Sequence, residues 1–152
     1  MNNSTNQFNP TEELSHFVAL LGAENYNALN KAIADAGQRV PKDEDGLTLA
    51  HHAAAFNDTK GLSVLQLNGI CVDEPDCSGT RPVHLAAQND ALEAFVLLES
   101  AECSTTARNL RCESPKDLAR GSGAVKVLSH MASGRRNGLF SRLFTRNQAA
   151  AA

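Results

Sequence analysis

The chain has 152 residues, 42% hydrophobic and 20% charged, which are the proportions of one soluble globular domain. Its formal net charge of -3 argues against nucleic-acid binding, which requires a basic surface. The longest hydrophobic runs, 17–21 and 94–98, are far shorter than the roughly 20 residues of a membrane-spanning helix. Because the first twenty residues carry no basic segment followed by an apolar stretch, we expect no signal peptide and a cytoplasmic location.

The N-terminal part is predicted to be helical from residue 9 onward. Residues 1–8 are expected to be disordered. Asn9, Pro10 and Glu12 form a helix start, because Asn caps a helix, Pro fits its first position and Glu reaches back to the cap. A second helix is predicted from Tyr26 to Ile33, so residues 9–42 are expected to be N-terminal capping helices that form a degenerate repeat.

An internal period of 33 residues organises the rest of the chain. The chain placed over itself at this offset pairs like residues without a gap: Asp43 with Asp76 and Asn109, Gly46 with Gly79, His51 with His84, Ala53–Ala54 with Ala86–Ala87, and Pro82 with Pro115. A fixed period of this length is typical of repeat proteins, whose units bury a hydrophobic face only by stacking. The period predicts repeats at 43–75 and 76–108 and a partial C-terminal repeat at 109–130.

Each unit is predicted to contain a turn, a short helix, a second helix and a loop. The turn has an acceptor side chain at its first position and a residue that tolerates positive φ at its fourth. Thr48, Arg81-Pro82 and Ser114-Pro115 are expected to begin the first helices. The alanine pairs are small enough for close helix packing. In the second helices, apolar spacing predicts a buried face, formed by Leu62, Leu65, Leu67, Leu92, Phe95, Val96 and Leu98.

The 33-residue period and the segments RPVHLAA, 81–87, and SPKDLA, 114–119, resemble the ankyrin repeat. This resemblance covers 43 to about 130 and, weakly, 10–42. It implies an all-α ankyrin-repeat solenoid of stacked helix-turn-helix units with degenerate caps. The chain departs from the family pattern at Thr48 to His51, where TLAH replaces TPLH, and at Arg81, Cys112 and Asp117. Cys112 replaces the glycine of the third of these turns, which puts the tightness of that turn in question.

The resemblance implies a non-catalytic module that binds another protein through the concave face of its repeats. Transfer of the family's exposed positions to this chain gives the candidate binding residues Glu44, Asp45, Leu47, Phe56, Ser78, Thr80, Gln88, Asn89, Leu110, Arg111 and Glu113, with Ala55 and Cys77 beside them. This face is expected to be acidic at one end and basic at the other. Phe56 and Arg111 are predicted to be its main anchors, since aromatic and Arg side chains dominate interface energies; the alternative is plain surface, or packing for Phe56.

Catalytic, cofactor and metal sites are not predicted. His51 and His84 recur at the period, which favours a structural role over a catalytic one. The four cysteines form no CxxC pair and are expected to be free thiols without a base beside them. A thiol- or metal-dependent enzyme remains a minor alternative.

Residues 131–152 form a basic tail with four arginines and no acidic residue, whereas 1–130 hold all 17 acidic residues. Leu139, Phe140, Leu143 and Phe144 fall on one helical face beside Arg142 and Arg146. This tail is expected to be either a capping helix or a segment that docks on a membrane surface or in a groove. The final alanines are left out of the fold prediction. A second functional alternative is a secreted bacterial effector that acts as an adaptor on a host protein in the host cytosol.

Overall fold

The computed structural model describes residues 10–37 and 39–133. Seven helices run in chain order: α1 Pro10–Gly22, α2 Tyr26–Asp35, α3 Leu49–Ala55, α4 Thr59–Leu67, α5 Pro82–Gln88, α6 Leu92–Ser100 and α7 Pro115–Ser122. Residues 125–133 form a further helical segment, here called α8. Within these described ranges there is no β-strand, so the predicted all-α class is confirmed. None of the helices there is long and apolar enough to cross a membrane.

The predicted helix starts are confirmed. α1 begins at Pro10, and α5 and α7 begin at Pro82 and Pro115, where proline is pre-set for the first helical position. Thr48 has an extended backbone and caps α3. α7 ends at Gly123, whose φ of 74° is the left-handed conformation that closes a helix.

The helices pack in two rows. The first helices, α1, α3, α5 and α7, contact one another in that order, and the second helices, α2, α4 and α6, form the other row. Each first helix also packs on the second helix that follows it in α1–α2, α3–α4 and α5–α6. Ala53, Ala54, Ala86 and Ala87 are fully buried, as predicted. Their small side chains let adjacent first helices approach closely.

Three residues of the predicted apolar faces are not buried. Leu67 is 86% exposed, Val96 is 38% exposed and Leu92 is half-buried, whereas Leu62, Leu65, Phe95 and Leu98 are fully buried. An α-helix turns about 100° per residue, so Leu67 lies about 200° around α4 from Leu65, and Val96 about 100° around α6 from Phe95. The buried face of each second helix is therefore narrower than the apolar spacing predicts.

The 33-residue period reappears in the backbone. Glu24, Asn57, Asp90 and Gly123 follow one another at this spacing, and all four have positive φ, between 52° and 74°. Each lies in the turn that follows a first helix. Asn57 Oδ1 accepts the N–H of Ala94 at 2.9 Å, and Asp90 Oδ1 accepts that of Val127 at 3.0 Å, one period later. The period thus includes Glu24, in the part of the chain where the sequence repeat is weak.

The outer surface of α7 is polar where the corresponding surface of α5 is buried. Val83, His84 and Ala87 of α5 are buried. One period later stand Lys116, Asp117 and Arg120, none of which is buried. A charged surface at this position does not suit a further helix pair stacked on α7. The capping helix or docking segment predicted for the tail, at Leu139 to Phe144, lies outside the described residues.

Candidate binding face

Three turns of one geometry precede α3, α5 and α7. In each turn, the side-chain oxygen of the first residue accepts the backbone N–H groups two and four positions later, over distances of 2.7 to 3.1 Å. These bonds join Asp43 to Asp45 and Leu47, Asp76 to Ser78 and Thr80, and Asn109 to Arg111 and Glu113. The side chains of 43, 76 and 109 are thus used inside their own turns.

The turn at Cys112 keeps the geometry of the other two. The φ of Cys112 is 61°, compared with 80° for Gly46 and 75° for Gly79 at the same position of the other turns. Its N–H donates to the carbonyl oxygen of Asn109 at 2.9 Å, as Gly46 does to Asp43 at 3.0 Å. The exchange of glycine for cysteine therefore leaves the turn closed, in a conformation that costs a side-chain-bearing residue about 1–2 kcal/mol.

Backbone hydrogen bonds join the three turns into a row. The N–H of Cys77 donates to the carbonyl oxygen of Asp45 at 2.9 Å, and that of Leu110 donates to Ser78 at 2.8 Å. We call the three pairs at the turn ends, Glu44–Asp45, Cys77–Ser78 and Leu110–Arg111, the tip row. All six residues are exposed.

His51 and His84 support the row from beneath. Nδ1 of His51 accepts the backbone N–H of Thr48 at 3.0 Å, which assigns the ring proton to Nε2, and Nε2 then donates to the carbonyl oxygen of Thr80 at 2.9 Å. His84 repeats the pattern with the N–H of Arg81, at 3.2 Å, and the carbonyl oxygen of Ala107, at 3.1 Å. Burial lowers the pKa of both imidazoles below 6.5. The predicted structural role of both histidines is confirmed.

Asp117 takes the place of histidine in the last unit, and its hydrogen bonds are to Ser114 of the same unit. Its ion pair is with Arg108, the last residue of the preceding repeat, at 3.6 Å. Oδ2 of Asp117 accepts the hydroxyl of Ser114 at 2.6 Å and the backbone N–H of the same residue at 3.0 Å. These two bonds, the hydroxyl first, lower the pKa of Asp117 below its ordinary value. The carboxylate caps α7, and among the described residues it bonds to no later turn.

The predicted binding residues are all accessible, but they lie in two groups. Leu47, Thr80 and Glu113 are half-buried, and the other eight are exposed. Eight of the eleven belong to the turns before the first helices, whereas Phe56, Gln88 and Asn89 lie at the opposite ends of α3 and α5. A seven-residue helix rises about 10 Å, so the structure does not bring Phe56 and Arg111 together.

Three residues that sequence reasoning missed lie between the two groups. His52, Leu85 and Leu118 follow one another at the 33-residue period and are half-buried. The residues on either side of His52 and Leu85 are buried, whereas Leu118 lies between the exposed Asp117 and the buried Ala119. Nε2 of His52 is buried without a hydrogen-bond partner among the described residues, and the ring lies 6.4 Å from that of Phe56. Extension of the repeat register by one position past His51 and His84 would have found all three.

Phe56 borders an open cleft of about 490 Å³ between the α1–α2 and α3–α4 turns. Phe56 is 60% exposed, and Glu24, Tyr26 and Lys60 also line the cleft. The hydroxyl of Tyr26 donates to Asp58 Oδ1 at 2.9 Å, and partial burial together with this carboxylate raises its pKa to about 12. Lys60 Nζ stands 5.8 Å from the centre of the Tyr26 ring.

The cysteines and histidines form no recognisable chemical centre in the described part of the chain. Cys71, Cys77 and Cys112 are exposed free thiols, and Cys103 is buried. Burial raises the pKa of the Cys103 thiol to about 11, so it holds little reactive thiolate at neutral pH. No group of three or more His, Cys, Asp or Glu side chains there is placed to hold a metal ion.

A comparison with models of known protein families found no match, and a search among curated proteins found none either. The features that bear on the class of this protein are therefore its 33-residue period and the geometry of its three like turns.

Proposed function

We propose that the chain is an ankyrin-repeat protein that binds a partner protein without catalysis. Support for the class comes from the 33-residue period, the three like turns and the histidines that bond from one unit to the next. Stacked repeats of this kind form an extended surface of turn ends and first helices, and protein binding is the use that such a surface suits.

The observation that carries the proposal is the accessible surface between the two groups of predicted residues. α3 and α5 bury most of their side chains, and α7 buries Pro115 and Ala119. All three helices keep a half-buried position at the same place in the repeat, at His52, Leu85 and Leu118, with exposed residues near the helix end. Half-buried apolar groups flanked by polar ones are the composition of a protein-binding surface. Phe56 and Leu110, at 60% and 77% exposure, add large apolar groups at its margins.

The partner is best sought by affinity capture with the full chain, followed by mass spectrometry. Binding of the captured protein is then measured with Phe56→Ala and with Arg111→Ala, each alone, because the structure separates the two residues. Truncation of an anchor should cost more than about 1 kcal/mol of binding free energy and leave the fold unchanged.

The matched control is Lys126→Ala. Lys126 is exposed on α8 and is not one of the eleven candidate residues, whereas Lys60 shares the cleft with Phe56 and is unsuitable. Its replacement should change affinity by roughly 0 to 1 kcal/mol. If both test variants, and Leu85→Ala and Leu118→Ala as well, bind like the parent chain, the proposed face is wrong.

A further inference from the structure

The tip row carries charges of opposite sign at its two ends. Glu44 and Asp45 are exposed carboxylates at the first turn, Cys77 and Ser78 are neutral at the second, and Arg111 is an exposed guanidinium at the third. Arg108, with 63% of its side chain exposed, adds positive charge beside Arg111, and it faces Asp117 at 3.6 Å.

The other charged side chains near the tip row accept hydrogen bonds or form ion pairs within the chain. Asp43 and Asp76 accept hydrogen bonds inside their own turns. Glu113 accepts the side-chain amide of Asn109 at 3.1 Å, and Lys42 pairs with Glu74. Bonds from neutral groups leave Asp43, Asp76 and Glu113 negatively charged, but they hold these side chains against the turns. The exposed charged side chains of the row that make no hydrogen bond or ion pair among the described residues are Glu44 and Asp45 at the first turn and Arg111 at the third.

From this arrangement we propose that a second copy of the chain docks on the tip row, with a two-fold axis at the central turn. The rotation places Glu44 and Asp45 of each copy opposite Arg111 of the other, so the attraction occurs twice. A parallel approach of two copies would instead oppose like charges. The inference goes beyond the proposed function, since the occupant is this chain itself.

Even spacing of the turns makes the two-fold arrangement fit. The same backbone bond joins the first turn to the second, at 2.9 Å, and the second to the third, at 2.8 Å. The outer turns therefore stand at similar distances on either side of Cys77–Ser78, and a half-rotation about that point exchanges them. Near the charges, Leu110 of one copy, which is 77% exposed, meets the half-buried Leu47 of the other.

Three turns offer only a small contact, so we place this dimer among weak complexes that bury less than about 1,200 Å². Its attraction is mainly between exposed charges, which salt screens over about 10 Å at 0.1 M. The full chain should therefore associate with rising concentration at about 0.05 M salt and dissociate at about 0.5 M.

Charge reversal tests the pairing by sedimentation of the full chain. Arg111→Glu turns two attractions into repulsions and should weaken association roughly tenfold, and Glu44→Lys together with Asp45→Arg should do the same. All three changes in one chain reverse the sign at both ends and should return association to near the parent level. Arg120→Glu, an exposed charge on α7 away from the row, should have little effect.

Thiol cross-linking tests the position of the axis. A variant with Cys71→Ser and Cys112→Ser keeps Cys77, which the two-fold axis places beside Cys77 of the other copy. A second variant, with Cys71→Ser and Cys77→Ser, keeps Cys112, which the rotation places far from Cys112 of the other copy. A short bismaleimide should cross-link two copies of the Cys77 variant much faster than two copies of the Cys112 variant, and high salt should slow the Cys77 reaction.

The proposal is overturned if the chain is monomeric at every concentration, if Cys112 cross-links as fast as Cys77, or if the charge swap fails to restore association. Binding of a different protein to the tip row of a monomeric chain would also overturn the proposal. None of these results touches the binding test with Phe56, so failure of the dimer and failure of the proposed function are separable.

Discussion

Nε2–H of His51 donates a hydrogen bond to the carbonyl oxygen of Thr80, 29 residues later in the chain, over 2.9 Å. The same ring accepts the N–H of Thr48, so one buried side chain joins the start of α3 to the next turn. Nε2 carries its proton in either charge state, whereas Nδ1 can accept the Thr48 N–H only in the neutral ring. The two bonds exist together only with the neutral imidazole.

Replacement of this imidazole should destabilise the fold. His51→Ala leaves the buried Thr48 N–H without its partner, which costs about 1–3 kcal/mol. It also removes one of two hydrogen bonds to the Thr80 carbonyl, which still accepts the N–H of Asp76 at 2.8 Å. We expect a loss of about 2–4 kcal/mol in the free energy of unfolding, measured with urea. Asp117→Ala, which removes a cap within one unit only, should cost clearly less; an equal or larger loss would contradict the role of His51 between units.

Stability should fall as the pH drops below about 6.5. Burial lowers the folded-state pKa of His51 and His84 beneath 6.5, so the unfolded chain binds more protons than the folded chain in acid. The stabilisation from the neutral rings is fully present above the unfolded pKa and is lost progressively below it. Urea unfolding at a series of pH values from 8 to 5 checks this.

The matched control for the pH effect is the double variant His51→Gln, His84→Gln. It keeps His16, His52 and His130 but removes the two rings that bond to the next turn, so its stability should vary less over the same pH range. Burial also lowers the pKa of His52, so part of the pH effect should remain in this variant. A slope as steep as that of the parent chain would assign the effect to other groups.

Gly61 and Gly121 should respond in opposite ways to alanine. A Cβ at Gly61 would lie 2.4 Å from Leu21 Cδ2 and 2.5 Å from Asp58 Oδ2, while one at Gly121 would meet nothing within 4 Å. Gly61→Ala should therefore cost about 1–3 kcal/mol through overpacking. Gly121→Ala should stabilise the chain by about 0.5–1 kcal/mol, since alanine favours a helix interior. Thermal melts that move in the same direction would contradict the contact at Gly61.

The second helices should tolerate substitution on one side only. Leu98 is fully buried, so Leu98→Ala should cost about 2–5 kcal/mol. Leu97 is half-buried, so Leu97→Ala should lower the free energy of unfolding by less. Leu67 is 86% exposed, so Leu67→Ala should change that free energy by no more than about 0.5 kcal/mol. A large loss at Leu67 would show that its surroundings are not those of the structure.

The four thiols should separate into three fast ones and one slow one. Cys71, Cys77 and Cys112 are exposed, whereas Cys103 is buried and has a pKa of about 11. With a thiol-reactive chromophore under native conditions, three equivalents should react promptly and the fourth only on unfolding. Rapid reaction of all four would place Cys103 at the surface.

Much of the fold follows from local patterns in the sequence. The prolines at 10, 82 and 115 mark helix starts because proline suits the first position of a helix in any surroundings. The recurrence of Asp, Gly, His and Ala at 33 residues predicts the turns, the buried alanines and the structural histidines. These are properties of single turns and of neighbouring residues, so they can be recognised without the tertiary structure.

Other features depend on how each helix is rotated against its neighbours. Apolar spacing does not separate the buried Leu65 from the exposed Leu67, because the width of the buried face depends on what packs against it. Likewise, only the packed chain separates Phe56 from the turn ends and closes the space around Gly61. The sequence by itself determined where the helices and turns begin, since capping and turn chemistry act within a few residues. The tertiary structure decided which side chains meet, since those contacts join residues that are distant in the chain.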